Sequence, residues 1–75
     1  MTLNEFIEAF AGEFEDTEMC EFKADTEFKN LDEWDSLTAL SIITMVGDEM
    51  EKTITGADLR SLDTIEDLYN FIMNK

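Results

Sequence analysis

Residues 35–51 read DSLTALSIITMVGDEME, and this stretch decides the fold. It lacks proline, its apolar residues recur at three- and four-residue spacing, and Asp35 stands where a helix N-cap belongs. A helix is predicted from Ser36 to about Glu51, with Ser36 at the first helical position. Ala39, Leu40, Ile43, Val46 and Met50 share one stripe, read as the buried face. Leu37, Ile42 and Met45 lie off that stripe. The helix therefore carries more apolar surface than one core face uses, and part of it is expected to meet a partner.

Upstream, from Glu15 to Asp35, the periodicity gives way to acids punctuated by Met19, Phe22, Phe28, Leu31 and Trp34. Loops this long in a small domain are commonly functional or disordered. The spaced aromatics favour a loop pinned over the core and containing a short helical turn. Before it, Leu3, Phe6, Ile7, Phe10 and Phe14 form one stripe, and Thr2 and Glu5 have capping-box spacing. Met1 and Phe6 are placed to form the staple of a helix from Leu3 to Phe14.

Downstream, Thr55 and Asp58 repeat the capping-box spacing, with Ile54 and Leu59 as a staple, so a short helix is predicted near Gly56 to Leu62. Asp63 or Thr64 caps a last helix whose stripe is Ile65, Leu68, Tyr69 and Ile72, running to about Asn74. No apolar run alternates in the manner of a strand. The expected class is all-α: a small four-helix bundle of three main helices and one short one, with a long loop between the first and second. At 75 residues the chain is expected to be a single domain, 1–75.

A hydrophobic fraction of 44% with six phenylalanines is enough for a packed core, which disordered acidic chains lack. Nineteen acidic against five basic residues give a net charge of −14. Such a field repels phosphate backbones and anionic lipid, so nucleic-acid and membrane binding are not expected, and partners with basic patches are. No apolar run approaches the ~20 residues of a membrane span, and MTLNEFIEAF carries acids where a signal peptide is basic. Cys20 alone forms no intrachain disulfide and is read as structural. A cytoplasmic location is expected.

The chain has no histidine, which removes the commonest general base and any Ser-His-Asp triad, and one cysteine builds no thiolate zinc site. Gly12, Gly47 and Gly56 are isolated, so no phosphate loop is present. Catalysis of its own and a specific metal site are not expected. What remains is Ser36 at the mouth of the central helix, in Trp34-Asp35-Ser36-Leu37. Taken alone, an Asp-Ser pair at a helix start is read as plain capping.

In its setting, Asp35-Ser36-Leu37 resembles the Asp-Ser-Leu motif of acyl carrier proteins. The resemblance runs best from Leu31 to Ile72. It takes in the motif, the pattern Leu40, Ile42, Ile43, Val46 and Met50, then Ile54, then Thr64-Ile65-Glu66-Asp67-Leu68. It implies that Ser36 carries a 4′-phosphopantetheine arm derived from coenzyme A. A separate phosphopantetheinyl transferase would attach it, and acyl groups would ride on the arm's thiol as thioesters. It further implies a non-catalytic monomer that docks on acyl-loading and acyl-transferring enzymes. The expected partner-binding residues are Asp35, Leu37, Leu40, Thr44, Met45 and Asp48. A phosphodiester on Ser36 would sit at the positive end of a helix dipole, opposed by Asp32, Glu33 and Asp35.

Thr38, Ser41 and Gly47 stand where carriers of fatty-acid synthesis typically have acids. This departure moves the expected contact face toward apolar residues and suggests a dedicated carrier in another acyl pathway. Two other readings stay open: an aminoacyl or peptidyl carrier, and an acidic helical module that occupies a basic groove as a nucleic-acid mimic or inhibitor.

Overall fold

Thr2 opens the first helix by a reciprocal pair of hydrogen bonds. Its hydroxyl accepts the Glu5 N–H at 3.2 Å, and the Glu5 carboxylate accepts the Thr2 N–H at 2.8 Å. In the computed structural model, which describes residues 2–15 and 17–75 and every side chain among them but that of Met19, this helix is α1, Leu3–Ala11. The same device opens α3, Gly56–Ser61, through Thr55 and Asp58, and α4, Ile65–Met73, through Thr64 and Asp67. Thr64, not Asp63, is thus the cap of the last helix. The longest helix, α2, Ser36–Met50, opens on Asp35. Such caps satisfy N–H groups that the first helical turn otherwise leaves unpaired. The Met1–Phe6 staple and the pinning role of the Met19 side chain lie outside the described residues.

Two helix ends differ from expectation or strain it. Helix α1 stops three residues short of Phe14, because Gly12, a weak helix former, is followed by bonds of tighter pitch. Glu13 N donates to the Phe10 carbonyl at 3.1 Å and Phe14 N to that of Ala11 at 3.0 Å. Phe14 still reaches the core. At the far end of α2, Glu51 takes φ 55° and ψ 33°, a left-handed conformation that side chains with a Cβ seldom adopt.

Helix α1 packs on α4 and α2, and α2 packs on α3. Between them lie Phe6, Phe10, Phe28, Ile42, Val46, Ile65, Leu68 and Ile72, all fully buried. Phe10 is the hub, with its ring 5.5 to 6.4 Å from those of Phe6, Phe14, Phe22, Phe28 and Trp34. Aromatic pairs at these separations add to the gain from area burial alone. The described residues thus form a small helical bundle with four α-helices, in the class the sequence predicted.

The buried face of α2 is rotated from the predicted stripe. Ile42, Met45 and Val46 point inward, while Leu40 is 58% exposed and Ala39, Ile43 and Met50 are half-buried. Apolar residues surround this helix, so its own pattern leaves the inward direction open, and the placement of α1 and α3 settles it.

The loop between α1 and α2 is pinned over the core, as expected, with Phe22 and Phe28 buried, and it contains two short 3₁₀ turns, Met19–Glu21 and Phe28–Asn30, where one was expected. Its other fastenings are hydrogen bonds to helix ends. The Thr26 and Ala24 carbonyls accept the Ile65 and Glu66 N–H groups at 3.1 and 2.9 Å, pairing donors in the first turn of α4. A single antiparallel bridge joins Glu27 to Thr64 there. Lys29 Nζ donates to the Arg60 carbonyl at 2.8 Å, pairing an acceptor in the last turn of α3. The segment before Ser36 is therefore tied by hydrogen bonds to two helices, α3 and α4.

Candidate functional site

The mouth of α2 is built by a division of labour between two adjacent residues. Asp35 is extended, and its Oδ1 accepts the Thr38 N–H at 2.8 Å. That bond from the Thr38 N–H holds the Asp35 carboxyl below the ordinary carboxylate range. Because Asp35 is the cap, Ser36 is left over. Its side chain is exposed, and among the described residues its hydroxyl has no hydrogen-bond partner. The Thr38 hydroxyl donates to the Glu33 carbonyl at 2.9 Å, and the Glu33 carboxylate accepts from the Glu15 N–H and the Thr17 hydroxyl. These bonds fix the direction in which the chain enters the helix.

Trp34 packs beside the helix start. It lies parallel to Phe10 with an interplanar angle of 5° and edge-on to Phe28 at 5.0 Å. Beside it a groove of about 300 Å³ runs from α2 to α3, lined by Lys29, Trp34, Asp35, Ser36, Ala39, Gly56, Leu59 and Arg60. Lys29 and Arg60 were not singled out from the sequence. Arg60 lies far from Ser36 along the chain, and the folding of the loop against α3 brings it, with Lys29, into the lining of one groove with the serine.

The structure separates the expected contact residues. Leu37 and Leu40 are 75% and 58% exposed, and with Thr44 and Asp48 they lie on the outward side of α2. Leu37 also borders shallow depressions whose other walls include Glu13, Glu15, Glu33 and Asp35. An exposed apolar pair ringed by acids results. Met45 corrects the expectation: it is 5% exposed and sits in the core, since it projects from the side of α2 that meets the rest of the bundle. It presents no surface to a partner. Cys20, read as structural, is instead exposed, with its Sγ 3.6 Å from a Glu18 carboxylate oxygen.

Among the described residues no group of three or more His, Cys, Asp or Glu side chains is arranged to hold a metal ion, and no helix is long and apolar enough to cross a membrane. A helical bundle offering an unengaged serine at the mouth of its longest helix has the form of a carrier domain. The chain matches the family described as the phosphopantetheine attachment site over residues 4–72, and it belongs to that family of carrier proteins. The prosthetic group of that family is 4′-phosphopantetheine, covalently attached. Comparison with curated proteins and with solved structures finds no match.

The residues present fit the group. It requires an accessible hydroxyl, which Ser36 offers, and room beside it for an anionic, extended arm, which the groove offers together with two cationic side chains.

Proposed function

We propose that Ser36 is the attachment residue and that the protein is an acyl carrier, shuttling acyl groups between enzymes of a lipid, polyketide or related acyl-transfer pathway. The observation that carries this reading is the unengaged, exposed Ser36 hydroxyl beside an Asp35 that does all the capping. When bound, the arm supplies a terminal thiol that holds cargo as a thioester. Ser36 supplies the oxygen that bonds to the pantetheine-bearing phosphorus of coenzyme A as the pyrophosphate bond breaks and the nucleotide leaves. No histidine is available to accept its proton, so the base belongs to a separate transferase.

The outward face of α2 supports docking on such enzymes. Its acids steer basic partners at long range, and Leu37 and Leu40 offer apolar contact at short range. Thr38, Ser41 and Gly47, in place of acids, support a pathway other than general fatty-acid synthesis. The protein acts in the cytoplasm on this reading, as a monomer.

The test is intact mass after incubation with coenzyme A and a broad-specificity phosphopantetheinyl transferase. Wild type should gain the phosphopantetheine mass and Ser36→Ala should not. Gain by Ser36→Ala would move the site elsewhere. No gain by wild type with several transferases would favour an acidic interaction module.

A further inference from the structure

Lys29 and Arg60 are two of only five cationic side chains in a chain of net charge −14, and both line the groove that begins at Ser36. Lys29 is fixed there, with its Nζ 2.8 Å from the Arg60 carbonyl and 3.6 Å from the Asp63 carboxylate. The Arg60 guanidinium folds back toward the first turn of α3: a Cβ built on Gly56 would meet its Nη1 at 3.5 Å. Despite the abundance of acids, among the described residues Arg60 pairs with no carboxylate within 4.0 Å. The same groove is also lined by Trp34, Ala39 and Leu59, which are apolar.

We propose that Arg60, with Lys29 beside it, holds the phosphodiester of the arm carried by Ser36, so that the arm folds along the Trp34–Leu59 wall instead of extending into solvent. This rests on the assignment of Ser36. A guanidinium offers two parallel N–H donors to phosphate oxygens, and Lys29 adds a point charge. The cations locally offset the repulsion that Asp32, Glu33 and Asp35 exert on a phosphate at this position. Arg60 and Lys29 are positioning residues.

The experiment loads wild type and Arg60→Gln with a pantetheine analogue bearing a nitroxide at its terminal thiol. Loading is checked by intact mass, and paramagnetic attenuation of the amides of residues 56–62 and of the Trp34 indole is then compared. Attenuation should be strong in wild type and weaker in Arg60→Gln, with a roughly fivefold fall in the ratio of held to free arm, as for losing a favourable exposed charge pair. Unloaded Arg60→Gln should melt as wild type does. Raising salt to about 1 M, where the Debye length is about 3 Å, should weaken attenuation in wild type itself, a readout independent of any variant. Loaded wild type with attenuation indifferent to salt, or equal to that of Arg60→Gln, would overturn this inference alone. Wild type that never loads would overturn the assignment of Ser36, and this inference with it.

Discussion

Asp35 Oδ1 accepts the Thr38 N–H at 2.8 Å, while the adjacent Ser36 hydroxyl has no partner among the described residues. Stability and chemistry at the mouth of α2 therefore reside in different side chains. Asp35→Ala should lower the melting temperature by removing the acceptor for that N–H, with α2 fraying from its first turn. Ser36→Ala should change stability by only a few tenths of a kcal/mol, since alanine suits a first-turn position. Thermal unfolding followed by circular dichroism checks both. A larger loss from Ser36→Ala than from Asp35→Ala would show that the serine is part of the cap.

The acid limb of stability should carry the signature of two caps. The Thr2 N–H holds the Glu5 carboxyl below its ordinary value of 4.5, and the Thr38 N–H holds that of Asp35 below 3.8. Between the folded and ordinary values the unfolded chain binds more protons than the native one. Each cap's contribution is thus complete above the ordinary value and lost as pH falls through the depressed one. Protonation of the other acids meanwhile relieves repulsion in a chain of charge −14. The melting temperature should rise from neutrality toward about pH 5 and fall below the ordinary values. Asp35→Asn, which still caps but does not titrate, should make that fall shallower. A melting temperature rising steadily to the lowest pH would show that these caps contribute nothing.

Helix existence and helix starts were legible because they are local: Thr2, Asp35, Thr55 and Thr64 each signal within four residues what they cap. The position of Ser36 at the first residue of α2 was legible for the same reason. The inward face of α2 was not, because Leu37 and Leu40 are as apolar as Ile42 and Met45 and only neighbouring helices distinguish them. Nor was the loop's anchorage, since Lys29 meets Arg60 and Thr26 meets Ile65 across separations that no periodicity spans. The cationic side of the groove follows from that anchorage and was equally hidden.

Phe10 connects α1 to the loop that carries Trp34, so its truncation should loosen more than the core. Phe10→Ala should cost about 3–5 kcal/mol, a large part of the 5–15 kcal/mol typical of a folded domain. Trp34, whose ring lies 6.4 Å from that of Phe10, should report the change as a red-shifted, more quenchable fluorescence. The Ile65 and Glu66 amides, bonded to the loop carbonyls, should exchange faster with solvent. A variant with faster exchange spread evenly and unaltered Trp34 emission would mean that the loop is held without Phe10.

Glu51 ends α2 at φ 55°, where a Cβ crowds the backbone. Glu51→Gly should therefore stabilise the protein by up to about 1 kcal/mol, with the unfolded-state entropy of glycine reducing the gain. Glu51→Ala removes the same charge and keeps the Cβ. If the two variants melt alike, charge relief and not backbone strain is the cause; a gain from glycine over alanine confirms the strain.

Leu37 and Met45 were expected on one contact face, yet one is 75% exposed and the other 5%. Their alanine variants should now fail differently. Leu37→Ala should leave the melting temperature near wild type while accelerating dissociation from the transferase, and that effect should persist at high salt because a desolvated apolar contact is lost. Reversing Asp35 or Asp48 to lysine should instead slow association, an effect that shrinks as salt screens the long-range field. Met45→Ala should cost about 2–5 kcal/mol of stability and impair loading only in proportion to the fraction unfolded. With Thr38, Ser41 and Gly47 in place of acids, Leu37→Ala should also impair transfer more than any single acid reversal outside the immediate flank of Ser36. Stopped-flow kinetics on folded protein, alongside calorimetric melting, separates these cases. Wild-type loading by Leu37→Ala, with defects confined to the charge reversals, would show that docking is electrostatic and that the exposed leucines take no part.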